Sequence, residues 1–190
     1  MSKILYAIQF YSDWQCGSGL TSAADVDALA IKDRHGLPYI PGKTLKGLYH
    51  EAASILAQVT DENDWDKFCR DCFGWQTDKT SDQSDEGGAY FSDAELSNTL
   101  QQELQSDPAK SRLLLRKISS TAIEDNGQAK EHSLRKFEVV VPLKLFAQIV
   151  NCPPHHLDKM RQCLLWVKKL GTNRNRGLGR CDICDIQVKD

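Results

Sequence analysis

The sequence has no hydrophobic run long enough to cross a bilayer, and its first residues lack the basic and apolar regions of a secretion signal. Its seven cysteines are an odd number without such a signal, which argues against a disulfide scaffold and favours a reducing cytoplasm. These absences predict a cytoplasmic protein without a membrane partner. With 190 residues, 41% of them hydrophobic, the chain is long enough to form a single domain over 1–190 with a buried core.

The common catalytic signatures are also missing. There is no GxSxG, HExxH, kinase or dinucleotide motif. Gly42-Lys43-Thr44 resembles the end of a Walker A loop, but Leu37 stands where that loop requires glycine, so a nucleotide-hydrolysing P-loop is excluded. Aromatic residues make up only 8% of the chain, and no pair of them lies on a strand in the pattern that stacks RNA bases.

Charge is segregated along the chain although the net charge is only -2. Residues 61–107 contain 3 Lys and Arg against 13 Asp and Glu, whereas residues 108–190 contain 16 against 8. This asymmetry favours a polyanion-binding surface in the last third and a solvated or partner-facing acidic insertion in the middle. Charge alone leaves open that both segments are simply solvated.

The apolar pattern predicts four core strands and two core helices. Strands are predicted from the alternation at 4–10, the short run at 89–93, the alternation at Phe137–Ile149, and the segment at 181–188. One helix is predicted at 43–58, with its apolar stripe at Leu45, Leu48, Ala52 and Ile55. The second begins after Pro153-Pro154, where His155 and His156 only start the helix.

The order of these elements predicts an α+β fold with a ferredoxin-like (RRM-like) β-α-β-β-α-β core and both helices on one face of the sheet. Two insertions interrupt the core: an acidic, cysteine-containing segment at 61–88, and a thumb-like excursion at 94–135 between the second and third core strands. The open face of the sheet would then be free to hold a ligand.

Two stretches have the composition of an anion-binding site. The loop from Gly171 to Arg180 combines three glycines, which allow tight turns, with guanidinium and amide donors at Asn173, Arg174, Asn175, Arg176 and Arg180. Lys43 and Lys46 lie beside the predicted start of the first helix, whose dipole favours anions. The alternatives are an ordinary glycine-rich turn with solvated arginines and a plain helix start.

Two further groups could take part in chemistry. Asp25 and Asp27 lie in a loop that is otherwise small and apolar, where a carboxylate could act as a general base or hold a divalent metal, or simply cap a turn. Cys69 and Cys72 have the CxxC spacing of half a zinc site, but the sequence identifies no complete ligand set. Cys181 and Cys184 are predicted to point to opposite faces of a strand, so they cannot share an ion.

Four segments together resemble the repetitive backbone subunit of type III CRISPR effector complexes, in the RAMP superfamily. The first is Val26–Asp33 followed by Leu37–Gly47, which is similar to a block of that family ending in P-x-I-P-G-[ST]-S-L-K-G. The others are the cysteine-flanked Phe68–Gly74, the short strand Ala89–Ala94, and the glycine-rich loop Gly171–Arg180. Each segment is weakly specific alone, but the combination spans nearly the whole chain.

The resemblance implies an endoribonuclease that works inside an assembled complex in antiviral defence. Asp27 falls where the family places the aspartate that cleaves target RNA, with Asp25 as the fallback and Mg²⁺ as the divalent metal. Residues 121–135 correspond to the family's thumb hairpin, which inserts between guide and target. The implied partners are a CRISPR guide RNA, a single-stranded target RNA and other subunits of the complex. The implied RNA-binding residues are Lys43, Thr44, Lys46, Lys130, Arg135, Asn173, Arg174, Asn175, Arg176 and Arg180.

The sequence leaves three other functions open. The chain could be a non-catalytic RNA-binding capping subunit of the same complex. It could be a metal-independent endoribonuclease that processes guide RNA, with His35 or His50 as the acid or base. It could also be a protein-interaction module whose acidic segment 61–107 contacts the partner, in which case it would not bind RNA.

Overall fold

A four-stranded sheet forms the centre of the chain. The computed structural model describes residues 2–20, 26–60, 64–76 and 84–189, with the backbone alone at positions 75, 76, 84, 85 and 108. Its strands and helices, in chain order, are β1 (Ser2–Phe10), α1 (Gly42–Val59), α2 (Trp65–Phe73), β2 (Gly74–Gln76), β3 (Ser84–Glu86), β4 (Tyr90–Phe91), α3 (Asn98–Ser106), α4 (Pro108–Ser111), β5 (Leu115–Ser120), β6 (Arg135–Val140), β7 (Lys144–Cys152), α5 (Leu157–Trp166) and β8 (Cys181–Lys189). Short 3-10 turns lie at Arg112–Leu114, Pro154–His156 and Arg174–Arg176.

The strand order in the central sheet is β4-β7-β1-β8, and every pair is antiparallel. Strand β1 lies in the middle, where Ile8 stands opposite Leu145 of β7 on one side and Ile183 of β8 on the other. Helix α1 precedes β4 and helix α5 connects β7 to β8. The predicted α+β ferredoxin-like core is therefore confirmed.

The two core helices pack against each other and against the sheet. Ile4, Tyr6 and Ile8 of β1 are buried at alternate positions, as a strand with one covered face requires. The hydroxyl of Tyr49 on α1 donates to the hydroxyl of Tyr6 at 3.1 Å, which fixes the helix over the central strand. Within the described ranges, no helix is both long enough and apolar enough to cross a membrane.

The buried stripe of α1 differs from the predicted one. Leu45 and Ala52 are buried as expected, but Tyr49 and Leu56 are buried as well, whereas Leu48 is only partly buried and Ile55 is exposed. On a helix, an apolar stripe can continue after three residues or after four. The sequence is therefore compatible both with the predicted stripe and with the one in the structure. The contact between Tyr49 and Tyr6 decides between the two in the folded chain.

The strand predicted at Phe137–Ile149 is wrong as a single element. Strand β6 ends at Val140 and β7 begins at Lys144, because Pro142 between them lacks the backbone N–H that a continuous ladder needs. Strand β6 pairs with β5 in a hairpin of its own, whereas β7 pairs with β1. The apolar alternation continues through both strands, so periodicity did not reveal the break.

The acidic segment 61–88 packs on the core through α2. Trp65, Phe68 and Phe73 of this helix are buried, and Phe68 and Phe73 meet edge to face with their ring centres 5.5 Å apart. The backbone of β2 and β3 then forms a short antiparallel hairpin. The insertion therefore combines an acidic composition with an apolar anchor of its own.

Candidate nucleic-acid interface

The loop at residues 171–180, called the basic loop below, is built on glycines with positive φ. A Cβ atom on Gly179 (φ +73°) would lie 1.9 Å from the carbonyl oxygen of Leu170, and one on Gly171 (φ +96°) would lie 2.4 Å from that of Gln15. Only glycine fits at both positions. The sequence predicts glycines that allow tight turns. In the structure, Gly171 and Gly179 are needed because the backbone of another part of the chain packs directly against each of them.

Hydrogen bonds fasten the basic loop to residues 12–15, directly after β1. The N–H of Thr172 donates to the carbonyl of Gln15 at 2.8 Å, and the N–H of Gly179 donates to the carbonyl of Asp13 at 2.7 Å. The N–H of Arg180 donates to the hydroxyl of Ser12 at 2.9 Å. These bonds fix both ends of the loop to the core, so the side chains of its middle part extend from a defined backbone position.

Gln15 joins the basic loop to the segment that contains Asp27. Its side chain is almost fully buried; the amide oxygen accepts from the Thr172 hydroxyl at 2.8 Å, and the amide nitrogen donates to the carbonyl of Ala28 at 3.1 Å. Sequence reasoning missed this residue. The one indication in the sequence was that Gln15 is a polar side chain between Trp14 and Cys16, which are both buried in the structure.

Asp27 lies beside β6, where the β5–β6 ladder leads into the hairpin loop. Its N–H donates to the carbonyl of Lys136 at 2.9 Å, and its carboxylate oxygen Oδ2 accepts from the N–H of Lys136 at 2.7 Å. The other oxygen, Oδ1, is 3.7 Å from Nη1 of Arg135, and the side chain is 44% exposed. The structure therefore holds this carboxylate at the surface beside an arginine. Asp25, the fallback residue, lies outside the described residues.

The structure brings Lys43, Thr44 and Arg174 to one surface cleft of about 410 Å³, called the cleft below. Lys43 and Thr44 belong to the first turn of α1, and Arg174 belongs to the basic loop. These two segments are far apart in the sequence. Gly17 and Ser18 line the cleft as well. Arg174 also lies 3.7 Å from the carboxylate of Glu51, which positions its guanidinium at the wall of the cleft.

The amino-terminal end of α1 differs from the expected anion site. The N–H of Gly42 donates to the carboxylate of Asp93 at 2.7 Å, so an internal anion already caps this end of the helix. The N–H of Thr44 donates to the carbonyl of Pro41 at 2.9 Å. The N–H groups of Gly42 and Thr44 are therefore already bonded within the protein, and the side chains of Lys43 and Thr44 are what this turn presents to the cleft.

The remaining predicted RNA-binding residues do not line the cleft. Lys46 is partly buried on α1, and Asn173 has a left-handed φ of 54° at the start of the 3-10 turn. The guanidinium of Arg180 lies over the ring of Tyr11, 5.6 Å from its centre. The exposed residues of this group are Lys130, Arg135, Asn175, Arg176 and Arg180, with Lys130 in the loop of the β5–β6 hairpin.

Cys69 and Cys72 lie one turn apart on α2, Cys69 half-buried and Cys72 fully buried. Burial raises the pKa of the Cys69 thiol. Among the described residues, the three potential ligands whose metal-binding atoms lie close together are Asp71, His155 and His156. Neither thiol belongs to this group, so zinc at Cys69 and Cys72 stays a prediction without further ligands.

Comparisons with known proteins agree with this architecture. The family model of the RAMP superfamily matches residues 8–182, and the chain therefore belongs to the RAMP superfamily. Comparison with curated proteins finds no significant match.

Solved structures extend the comparison. A chain of the Type III-B Cmr-beta cryo-EM structure in the apo state is similar to the protein, with a TM-score of 0.68 at 13% identity, covering 96% of each chain. A chain of the Type III-B Cmr-beta bound to cognate target RNA has a TM-score of 0.66 at 12% identity, covering 95% of this chain and 96% of that one. At these identities the similarity concerns the fold.

Proposed function

We propose that this RAMP protein is a guide-RNA-binding backbone subunit of a type III CRISPR ribonucleoprotein and cleaves base-paired target RNA with Asp27. The observation that supports RNA binding best is the meeting of Lys43, Thr44 and Arg174 in one cleft. A solved structure of similar fold is described as bound to cognate target RNA, which makes RNA the favoured polyanion.

Binding would depend on the ribose-phosphate backbone. Lys43 and Arg174 offer charged donors, Thr44 offers a hydroxyl, and guanidinium forks match phosphate oxygens in pairs. The protein needs no contacts to base edges, because base pairing between guide and target would read the sequence. This accounts for a cleft that is lined, among the residues that the structure describes, by two cationic side chains and one carboxylate, Glu51, and by no aromatic side chain.

Cleavage would take place beside β6, where the β5–β6 ladder leads into the hairpin loop. The Asp27 carboxylate, held by the N–H of Lys136, would accept the proton of a target 2′-hydroxyl as its oxygen bonds the neighbouring phosphorus. The P–O5′ bond would break, leaving a 2′,3′-cyclic phosphate, and the departing 5′-oxygen would take a proton from water. Arg135, 3.7 Å from the carboxylate, would stabilise charge that develops on the phosphate oxygens. DNA lacks the attacking hydroxyl and should not be cleaved.

The Asp27 site fits a Mg²⁺ ion that the RNA helps to bind. Mg²⁺ is commonly held by one or two carboxylates together with substrate phosphates and water, and Asp27 supplies one carboxylate that is 44% exposed. When bound, the ion would supply charge stabilisation for the phosphodiester.

RNA binding is tested by measuring the affinity of the purified chain for a single-stranded RNA over a range of salt concentrations. We expect Lys43→Ala and Arg174→Ala each to weaken binding, and each to reduce the log–log salt slope by about 0.7 units per lost phosphate contact. Lys110→Ala is the matched control, because Lys110 lies on α4 and pairs with Glu103. Equal losses in all three variants would mean that the cleft has no special role.

Cleavage is tested with Asp27→Asn in the assembled complex. Asparagine keeps an oxygen that can accept from the N–H of Lys136, so the contact with β6 should remain intact while the charge is lost. We expect target cleavage to be abolished and guide RNA binding to be unchanged, measured on the same preparation. Unchanged cleavage would overturn the role of Asp27.

A second function, a non-catalytic capping subunit of the same complex, is favoured by one observation. The Asp27 carboxylate already bonds the backbone of β6 and lies beside Arg135, as a purely structural aspartate would. In that case the wild-type assembly would bind RNA with the same salt dependence and leave the target intact at this subunit. Cleavage mapping on a target paired along the complex distinguishes the two functions.

A further inference from the structure

We propose that Asp71, His155 and His156 form a zinc site that ties the acidic insertion to the core. The Nε2 atom of His156 lies 2.8 Å from Oδ2 of Asp71, and Nε2 of His155 lies 3.8 Å from the same oxygen. All three ligand atoms lie within 4.8 Å of one another. The site is separate from the cleft and from Asp27, so it goes beyond the proposed function.

The spacing of these atoms suits a tetrahedral ion. Ligand atoms at about 2.0–2.2 Å from Zn²⁺ lie roughly 3.3–3.6 Å apart at tetrahedral angles. The two distances from Asp71 Oδ2, 2.8 and 3.8 Å, lie on either side of that range. The ligand atoms of the two histidines lie within 4.8 Å of each other, so side-chain adjustments of about 1 Å would bring the three atoms to a metal-binding arrangement.

The donor chemistry selects the class of metal. Two imidazole nitrogens and one carboxylate oxygen are ligands that zinc takes readily, whereas Mg²⁺ and Ca²⁺ prefer oxygen ligands alone. Three protein ligands leave a fourth position for water.

Local structure holds the three ligands in place before any metal arrives. The N–H of His156 donates to the carbonyl of Pro153 at 2.9 Å, closing the turn that places both histidines side by side. The ring of Phe68 packs edge-on against His156, with 5.4 Å between centres. The carbonyl of Asp71 accepts from the N–H of Gly88 at 2.8 Å. Supporting contacts of this kind preorganise metal ligands.

Burial differs between the two histidines in a way that suits metal entry. The His156 side chain is 5% exposed, while that of His155 is 61% exposed, so one ligand is fixed inside and the other is open to solvent. Asp71 belongs to α2, and the histidines lie in the turn that leads into α5. A zinc ion here would join the insertion to the second core helix and stabilise the folded chain.

The test is a zinc titration of the chelator-treated full chain in competition with a zinc-binding dye. We expect one Zn²⁺ per chain and a higher melting temperature on binding. His155→Ala should weaken zinc binding at least ~10-fold, and Asp71→Asn should weaken it similarly. Because His155 is exposed, its replacement should leave the fold intact, which circular dichroism checks. His35→Ala, at an exposed histidine outside the cluster, should leave zinc affinity unchanged.

Cobalt substitution separates this site from the cysteine alternative. A tetrahedral Co²⁺ spectrum without a thiolate charge-transfer band supports the proposal. A thiolate band that disappears in Cys69→Ser would overturn it, and so would the absence of one-to-one binding or unchanged affinity in His155→Ala. None of these measurements involves RNA, so their outcome is independent of the proposed function.

Discussion

Thr172 holds Gln15 through both its side chain and its backbone. The Thr172 hydroxyl lies 2.8 Å from the Gln15 side-chain oxygen and 3.3 Å from the Gln15 carbonyl, and the Thr172 N–H donates to that carbonyl at 2.8 Å. Since the Gln15 amide nitrogen also donates to the carbonyl of Ala28, the residue next to Asp27, one buried side chain connects both parts of the candidate interface. The position of the basic loop relative to Asp27 is therefore set within the protein.

Replacing Thr172 with valine should loosen this connection. The variant removes the hydroxyl and leaves the buried oxygen of Gln15 without that donor, which should lower the free energy of unfolding by about 1–3 kcal/mol. We also expect weaker RNA binding, because the basic loop loses a fixed position. Urea denaturation and an RNA titration measure the two effects.

Thr99→Val is the matched control for this variant, because Thr99 is exposed on α3. Its effect should stay within about 0.5 kcal/mol. If Thr172→Val and Thr99→Val behave alike, the hydroxyl contact contributes nothing measurable.

Gly179 and Gly177 provide a second test, of close packing in the basic loop. Both have positive φ, but a Cβ on Gly179 would lie 1.9 Å from the Leu170 carbonyl oxygen, whereas Gly177 has open space. Gly177→Ala should cost about 1–2 kcal/mol from backbone strain alone. Gly179→Ala should cost more than about 3 kcal/mol, because the backbone must also move. Similar melting temperatures for the two variants would contradict the close approach.

A third prediction concerns the base of the hairpin. Arg116 of β5 pairs with Asp13, whose side chain is only 9% exposed, while Arg116 itself is 57% exposed. Arg116→Ala should lower the free energy of unfolding by about 1–2 kcal/mol, less than for a fully buried pair, because solvent screens the exposed arginine.

The control for this prediction is a double-mutant cycle with Asp13→Asn. Once the buried charge is gone, Arg116→Ala should cost little, so the double variant should be more stable than the sum of the single changes implies. Strict additivity would show that the two side chains do not interact.

A fourth prediction concerns the thiols. Burial raises the pKa of Cys16, Cys163 and Cys181 to about 12, so near pH 8 these groups are neutral as well as inaccessible. We expect a thiol-specific chromogenic reagent to modify only Cys69 and Cys184, which are partly exposed, in the native chain.

In denaturant all seven thiols should react with the reagent, and this total is the reference for the number that reacts in the native protein. In a Cys69→Ser, Cys184→Ser double variant, the native protein should react slowly at every remaining cysteine. A rapid reaction there would show that the core opens on the time scale of the assay.

Local patterns were enough to predict the α+β fold and most of its core elements. The alternation of Ile4, Tyr6 and Ile8 indicates β1, and the stripe that starts at Leu45 indicates α1. They did not locate the break at Pro142, since apolar residues alternate on both sides of it while the strands pair with different partners. Pairing depends on contacts between distant segments, which a periodic pattern does not contain.

The candidate interface was predictable to a similar degree. Lys43 and Arg174 were identified from composition, but Gln15 was not, because its importance comes from contacts with residues 28 and 172. The capping of α1 by Asp93 was missed for the same reason, since that carboxylate lies 51 positions away. His155 and His156 were interpreted as a helix start, and only the fold places Asp71 beside them.

The separation of β6 from β7 has a consequence for how this scaffold can vary. The β5–β6 hairpin is paired to itself over six positions, and its tip at 121–134 is exposed. Adding or removing residues at the tip would lengthen or shorten the projection while leaving the alignment of β7 with β1 unchanged. The reach of the projecting arm can therefore be altered independently of the body that supports it.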